Sequence, residues 1–121
     1  MSVKSLTAMA HVHSVSRAIA FYEKLGFTVR NTHAAPGASE PVWAWITSDG
    51  ANLMLAEADG PFDPGQQAVL FYLYSSDVAG FRAQLAERGV EVGPISYPFW
   101  APKGEFRVMD PDGYVLMITH T

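Results

Sequence analysis

His11 and His13 form a His-x-His pair, and residues two apart in an extended segment share a face. Both imidazoles can therefore reach one ion. A metal there needs a third and a fourth ligand, for which Glu57, Glu105 and His120 are the candidates. In the alternative reading His11 is a hydrogen-bonding group of a pocket and His13 lies on the surface. Glu105 and Arg107 repeat the two-residue spacing. Glu105 can pair with a cationic ligand, act as a base, form an ion pair with Arg107, or face solvent beside it. Aromatic residues gather at the same kind of spacing. Trp43 and Trp45 share a face, as do Tyr72 and Tyr74, and Trp100 sits in the loop Tyr97-Pro98-Phe99-Trp100-Ala101-Pro102. Aromatic walls with few charges suit stacking on a flat, partly apolar ligand. Asp110-Pro111-Asp112-Gly113 reads as turn chemistry. The G-x-S-x-G, Walker and G-x-G-x-x-G signatures are missing, so nucleophilic hydrolysis and phosphate or dinucleotide binding lack support.

Two helices must position these residues. Ala18, Phe21, Tyr22 and Leu25 fall on one helical face between a capping Ser14 and a terminating Gly26. Val78, Phe81, Leu85 and Ala86 repeat that pattern between Asp77 and Gly89. The two caps are 63 residues apart, and so are the two glycines. The offset carries further. Leu6 to Val12 matches Val69 to Ser75 as a first strand, and Gly26-Phe27-Thr28-Val29 matches Gly89-Val90-Glu91-Val92 as a second. Asp49-Gly50 matches Asp112-Gly113 as a hairpin turn, and Leu53-Met54-Leu55 matches Leu116-Met117-Ile118 as a last strand. Each half reads strand, helix, strand, strand, strand. The expected fold is α+β: two tandem βαβββ modules, residues 1–58 and 66–121, in a single domain spanning 1–121. The turn-rich segment 59–65 links them, and His33 to Pro41 is a second irregular stretch. One face of each sheet takes its helix. Two curved sheets with their other faces turned to each other would enclose a pocket.

Composition bounds the function. The chain has 121 residues, 49% of them apolar, enough for one domain with a core. Its net charge of −4 lacks the basic stripe that nucleic acid requires. There is no cysteine, so thiol catalysis, disulfides and Cys-ligated zinc are excluded. No run approaches the roughly 20 apolar residues of a membrane span, and no signal-peptide pattern is seen. A cytoplasmic protein without nucleic-acid or membrane partners is expected.

The segments Ala20-Phe21-Tyr22-Glu23-Lys24-Leu25-Gly26-Phe27 and Gly104-Glu105-Phe106-Arg107-Val108-Met109-Asp110-Pro111-Asp112-Gly113-Tyr114 resemble the helix end and closing hairpin of the vicinal oxygen chelate superfamily, also called glyoxalase/bleomycin resistance/dioxygenase. The resemblance spans essentially the whole chain. It implies that enzymes of this kind hold a divalent metal with four side chains, one from the first and one from the last strand of each module. Carried over, those positions fall at Thr7, Met54, Leu70 and Met117, and none of these supplies a carboxylate or imidazole. The chain is most similar to the metal-free, bleomycin-resistance-type members, which use aromatic side chains at the pocket. The resemblance therefore implies metal-free and cofactor-free binding of a small aromatic or amphiphilic molecule, an antibiotic among the candidates, by a homodimer. The expected ligand-binding set is Thr7, Met9, His11, Trp43, Trp45, Met54, Leu70, Tyr72, Tyr74, Trp100, Glu105 and Met117. The alternatives are a metal-dependent lyase, isomerase or dioxygenase with relocated ligands, a metal-free acid–base enzyme using His11 and Glu105, or an interaction module whose cavity is filled.

Overall fold

The computed structural model describes every residue except Gln67 and the side chain of Pro64. The chain forms two compact units, Met1–Phe62 and Asp63–Thr121. The first contains β1 (Ala8–Val12), α1 (Val15–Lys24), β2 (Thr28–Ala34), β3 (Pro41–Ser48) and β4 (Ala51–Glu57). Its sheet has the order β1-β4-β3-β2, with β1 parallel to β4 and the other pairs antiparallel. The second contains β5 (Leu70–Ser75), α2 (Val78–Glu87), β6 (Glu105–Met109) and β7 (Val115–His120), with sheet order β5-β7-β6.

Local chemistry explains the helix ends. The Ser14 hydroxyl accepts the Arg17 N–H at 3.2 Å, and the Asp77 carboxylate accepts the Gly80 N–H at 2.9 Å. Each satisfies a donor that the first helical turn leaves without a partner. Both helices stop before a glycine at positive φ, Gly26 and Gly89. In the first unit α1 lies against β3 and β4, and Tyr22 is packed edge-to-face on Phe27. Ala10, Val12, Ala44, Ile46, Leu53 and Leu55 are buried, so these alternate strand residues form the core beneath the helix. In the second unit Val108, Phe106, Leu116 and Ile118 do the same beneath α2.

The 63-residue repeat is visible in strand pairing. Ala8 stands opposite Leu53 in the first unit, and Phe71 opposite Leu116 in the second. One expected strand is missing, and two other features differ from expectation. Gly89-Val90-Glu91-Val92 does not form a strand, so the sheet of the second unit has three strands instead of four. Pro94 interrupts the segment and has no N–H to donate. Only Gly93, through its N–H to the Arg107 carbonyl at 2.9 Å, and Ser96, through a reciprocal pair with Glu105, bond to β6. The hairpins also differ. Ser48 pairs with Ala51 across the two residues Asp49 and Gly50. In the second unit the turn holds three residues, because the Asp110 N–H bonds the Tyr114 carbonyl at 2.9 Å. The Asp110 carboxylate fixes this turn by accepting the N–H groups of Asp112 at 2.8 Å and Tyr114 at 2.9 Å. The extra residue shifts the register by one. Ile46 stands opposite Leu53, whereas Val108 stands opposite Leu116. The irregular stretch expected over 33–41 is shorter, because β2 continues through His33 to Ala34 and β3 starts at Pro41.

Candidate functional site

In each unit the sheet face away from the helix carries the chemistry-bearing side chains. Residues directly opposite in register project from the same face. In the first unit one row reads Met9, Met54, Trp45, Asn31, and the next reads His11, Ala56, Trp43, His33. Met9 and His11 are exposed, while Met54, Trp43 and Trp45 are half-buried. Thr7 precedes β1 and is half-buried.

Trp45 is locked in place. Its Nε1–H donates to the Asn52 Oδ1 at 2.9 Å, and the Arg30 guanidinium lies 5.1 Å from its ring centroid. With Arg30 exposed, a cation over the indole contributes about 0.5–1 kcal/mol. One side of this ring is thereby occupied by the chain's own cation. His13 lies past the end of β1 and stacks on Phe62 with ring centroids 4.3 Å apart. Its ring therefore has an aromatic neighbour of its own at the strand end. Among the described residues, no three or more His, Asp or Glu side chains gather in a group able to hold a metal ion.

In the second unit the rows are Leu70, Val115, Met109; then Tyr72, Met117, Arg107; then Tyr74, Thr119, Glu105. Leu70, Tyr72 and Tyr74 are exposed, Tyr74 by 67%. Glu105 is only 3% exposed, and its Oε1 has no hydrogen-bond partner among the described residues. Arg107 is exposed and does not reach that oxygen. The Ser96–Glu105 bridge closes a loop that presents Phe99 and Trp100, edge-to-face at 5.0 Å, with Trp100 60% exposed.

Register gives the correspondence between units. Met9 matches Tyr72, His11 matches Tyr74, and Ala56 matches Thr119. Because of the longer second hairpin, Trp43 matches Glu105 and Trp45 matches Arg107. The third strand thus offers indoles in one unit and a carboxylate and a guanidinium in the other. The four positions carried over for a metal, Thr7, Met54, Leu70 and Met117, hold no carboxylate or imidazole. Asn52, Arg30 and Thr119 are additions to the expected site residues. Thr119 is legible from its parity with Met117; the contacts of Arg30 and Asn52 on Trp45 depend on register across three strands and are not.

No described helix is long and apolar enough to cross a membrane. A family model described as Glyoxalase/Bleomycin resistance protein/Dioxygenase superfamily matches residues 6–118. Comparison with curated proteins finds no match. Among solved structures, a bleomycin resistance determinant encoded on the transposon Tn5 aligns with a TM-score of 0.80 at 20% identity, covering 98% of each chain. A bleomycin-binding protein complexed with bleomycin aligns with a TM-score of 0.79 at 20% identity, over 98% of this chain and 99% of that one. An antibiotic binding protein from Streptomyces sp. CB03234 aligns with a TM-score of 0.75 at 26% identity, over 99% of this chain and 98% of that one.

Proposed function

We propose that this chain, which belongs to the glyoxalase/bleomycin resistance protein/dioxygenase superfamily, binds and sequesters a small aromatic or amphiphilic molecule, such as an antibiotic, without a metal or cofactor. The observation that carries this reading is the helix-free face of each sheet. In the first unit that face holds exposed Met9 with half-buried Trp43 and Trp45. In the second it holds exposed Leu70, Tyr72 and Tyr74. Exposed apolar faces of this kind mark interaction sites. The twelve residues named from the sequence, from Thr7 to Met117, are the proposed contact set. The likeness to bleomycin-binding and antibiotic binding proteins supports a binding role. A homodimer, and residence in the cytoplasm of a chain without cysteine, belong to the same reading.

The test is a ligand screen read by intrinsic tryptophan fluorescence, with bleomycin and simple naphthalene derivatives as first probes. Saturable quenching at about one ligand per site is expected, with sedimentation giving a dimer. No saturable response to any flat aromatic probe would refute it. Purification without chelator followed by metal analysis should find no stoichiometric Zn, Mn, Ni or Fe. One observation favours a second reading: a buried acid with an unpartnered oxygen, Glu105, is also what an acid–base catalyst holds. Turnover of any bound probe, abolished by His11→Ala or Glu105→Gln, would put that reading first.

A further inference from the structure

The row Tyr74, Thr119, Glu105 on the second unit contains a feature that the contacts of the described residues do not explain. Glu105 Oε1 is buried and lacks a hydrogen-bond partner among the described residues. Leaving such an atom unsatisfied is costly, and more so for a charged group. The obvious internal partner is Arg107, two residues away on the same face, yet Arg107 is exposed and does not reach Oε1. Among the described residues no cluster of acidic or imidazole groups surrounds Glu105 to make a metal site. The group that completes it must then bring its own donor.

We infer that Glu105 receives the positive charge of an organic cation, so that the bound molecule is an aromatic amine or amidine whose cationic end meets Glu105 and whose ring lies towards Tyr74. The inference rests on the binding role proposed above. Register supplies the geometry. Tyr74 and Glu105 stand on the two strands that flank β7, with Thr119 between them. Neighbouring strands are about 4.8 Å apart, so the two outer residues are separated by about 10 Å. That matches a bicyclic ring with a short aminoalkyl arm. Thr119, the residue between them, is small and buried, as Glu105 is, while Tyr74 is exposed. A net charge of −4 steers cations towards the protein.

The test compares three probes with one skeleton: 2-(1-naphthyl)ethylamine, 1-naphthaleneethanol and 1-naphthaleneacetate, titrated calorimetrically into the full chain. The amine is expected to bind at least about tenfold tighter than the alcohol, as a charge-assisted hydrogen bond predicts, with the acetate weakest. In Glu105→Gln that ratio should fall to about one while the affinity of the alcohol stays within about twofold. Equal binding of amine and alcohol by the unaltered protein overturns the inference, and needs no variant that folds. So does an amine preference that survives in Glu105→Gln. Binding of the alcohol without preference for the amine leaves the binding role intact and removes only the cation. Failure of all three probes also overturns the inference, and the fluorescence screen described above then decides the binding role by itself.

Discussion

Gly104 joins the loop carrying Trp100 to the strand carrying Glu105, and Gly104→Ala is expected to destabilise the second unit by about 2–5 kcal/mol. Two separate effects make up this figure. Its φ is +100°, where a Cβ crowds the backbone, at a cost of about 1–2 kcal/mol. A Cβ there would also lie 2.9 Å from Ile95 Cγ2 and 3.1 Å from Tyr97 Cε1. Overpacking of this kind costs about 1–3 kcal/mol. Gly89 separates the two effects. It has φ +82° in the same unit, and an added Cβ meets no atom within 4 Å. Gly89→Ala should therefore carry the backbone cost alone. Urea unfolding followed by tryptophan emission measures both variants. With a slope of about 2 kcal/mol/M, the midpoint of Gly104→Ala should lie about 0.5–1.5 M below that of Gly89→Ala. Equal midpoints would refute the close approach of Ile95 and Tyr97 to Gly104, and with it the placement of the loop against β6.

Asp110→Ala removes the acceptor of two buried N–H groups, those of Asp112 and Tyr114, and should cost about 2–5 kcal/mol in the same assay, with Asp110→Asn retaining part of the loss. Ser14→Ala and Asp77→Ala each remove a helix cap and should each cost about 1 kcal/mol, read as a shift in urea midpoint. Asn52→Ala deprives the Trp45 indole of its acceptor and should cost about 0.5–1.5 kcal/mol while changing the tryptophan emission spectrum of the folded protein. Tyr74→Ala should weaken 1-naphthaleneethanol by about 2- to 10-fold in calorimetric titration, the size of one aromatic pair.

The parts of the fold legible in the sequence are those set by local chemistry. Ser14 and Asp77 announce helix starts, Gly26 and Gly89 announce stops, and both helices appear with those caps. The alternation in Met9-Ala10-His11-Val12 separates the open face from the helix face correctly, because one side of that strand is buried. The failures are non-local. Val90-Glu91-Val92 has strand composition, but ladder bonds need a partner with matching N–H groups, and Pro94 denies them. Asp49-Gly50 and Asp112-Gly113 look alike as dipeptides, yet the Asp110 side chain bonds two N–H groups and holds a three-residue turn in the second. The burial of Glu105 is equally hidden, since composition gives Glu105 and Arg107 as a pair and the structure exposes one and buries the other.

That single extra turn residue decides how the two units can be compared. A uniform offset of 63 would set Trp43 against Phe106, a residue beneath α2, and the open faces would look unrelated. On the third strand the true offset is 62, and it sets Trp43 against Glu105 and Trp45 against Arg107. The first and last strands keep the offset of 63, so Thr7 and Leu70 stay paired at that offset, as do Met54 and Met117, the positions that the family resemblance carries over for a metal. The duplicated framework therefore carries a different third strand in each unit. One presents indoles, with Trp45 already engaged by Arg30, and the other a carboxylate with an unpartnered oxygen and an exposed guanidinium. A ligand that used only apolar surface would find no function for that carboxylate. Under the inference drawn above, a ligand with an aromatic ring and a cationic end gives both Tyr74 and Glu105, which share one row of the second sheet, a partner, and Glu105 is then the residue that separates amine from alcohol.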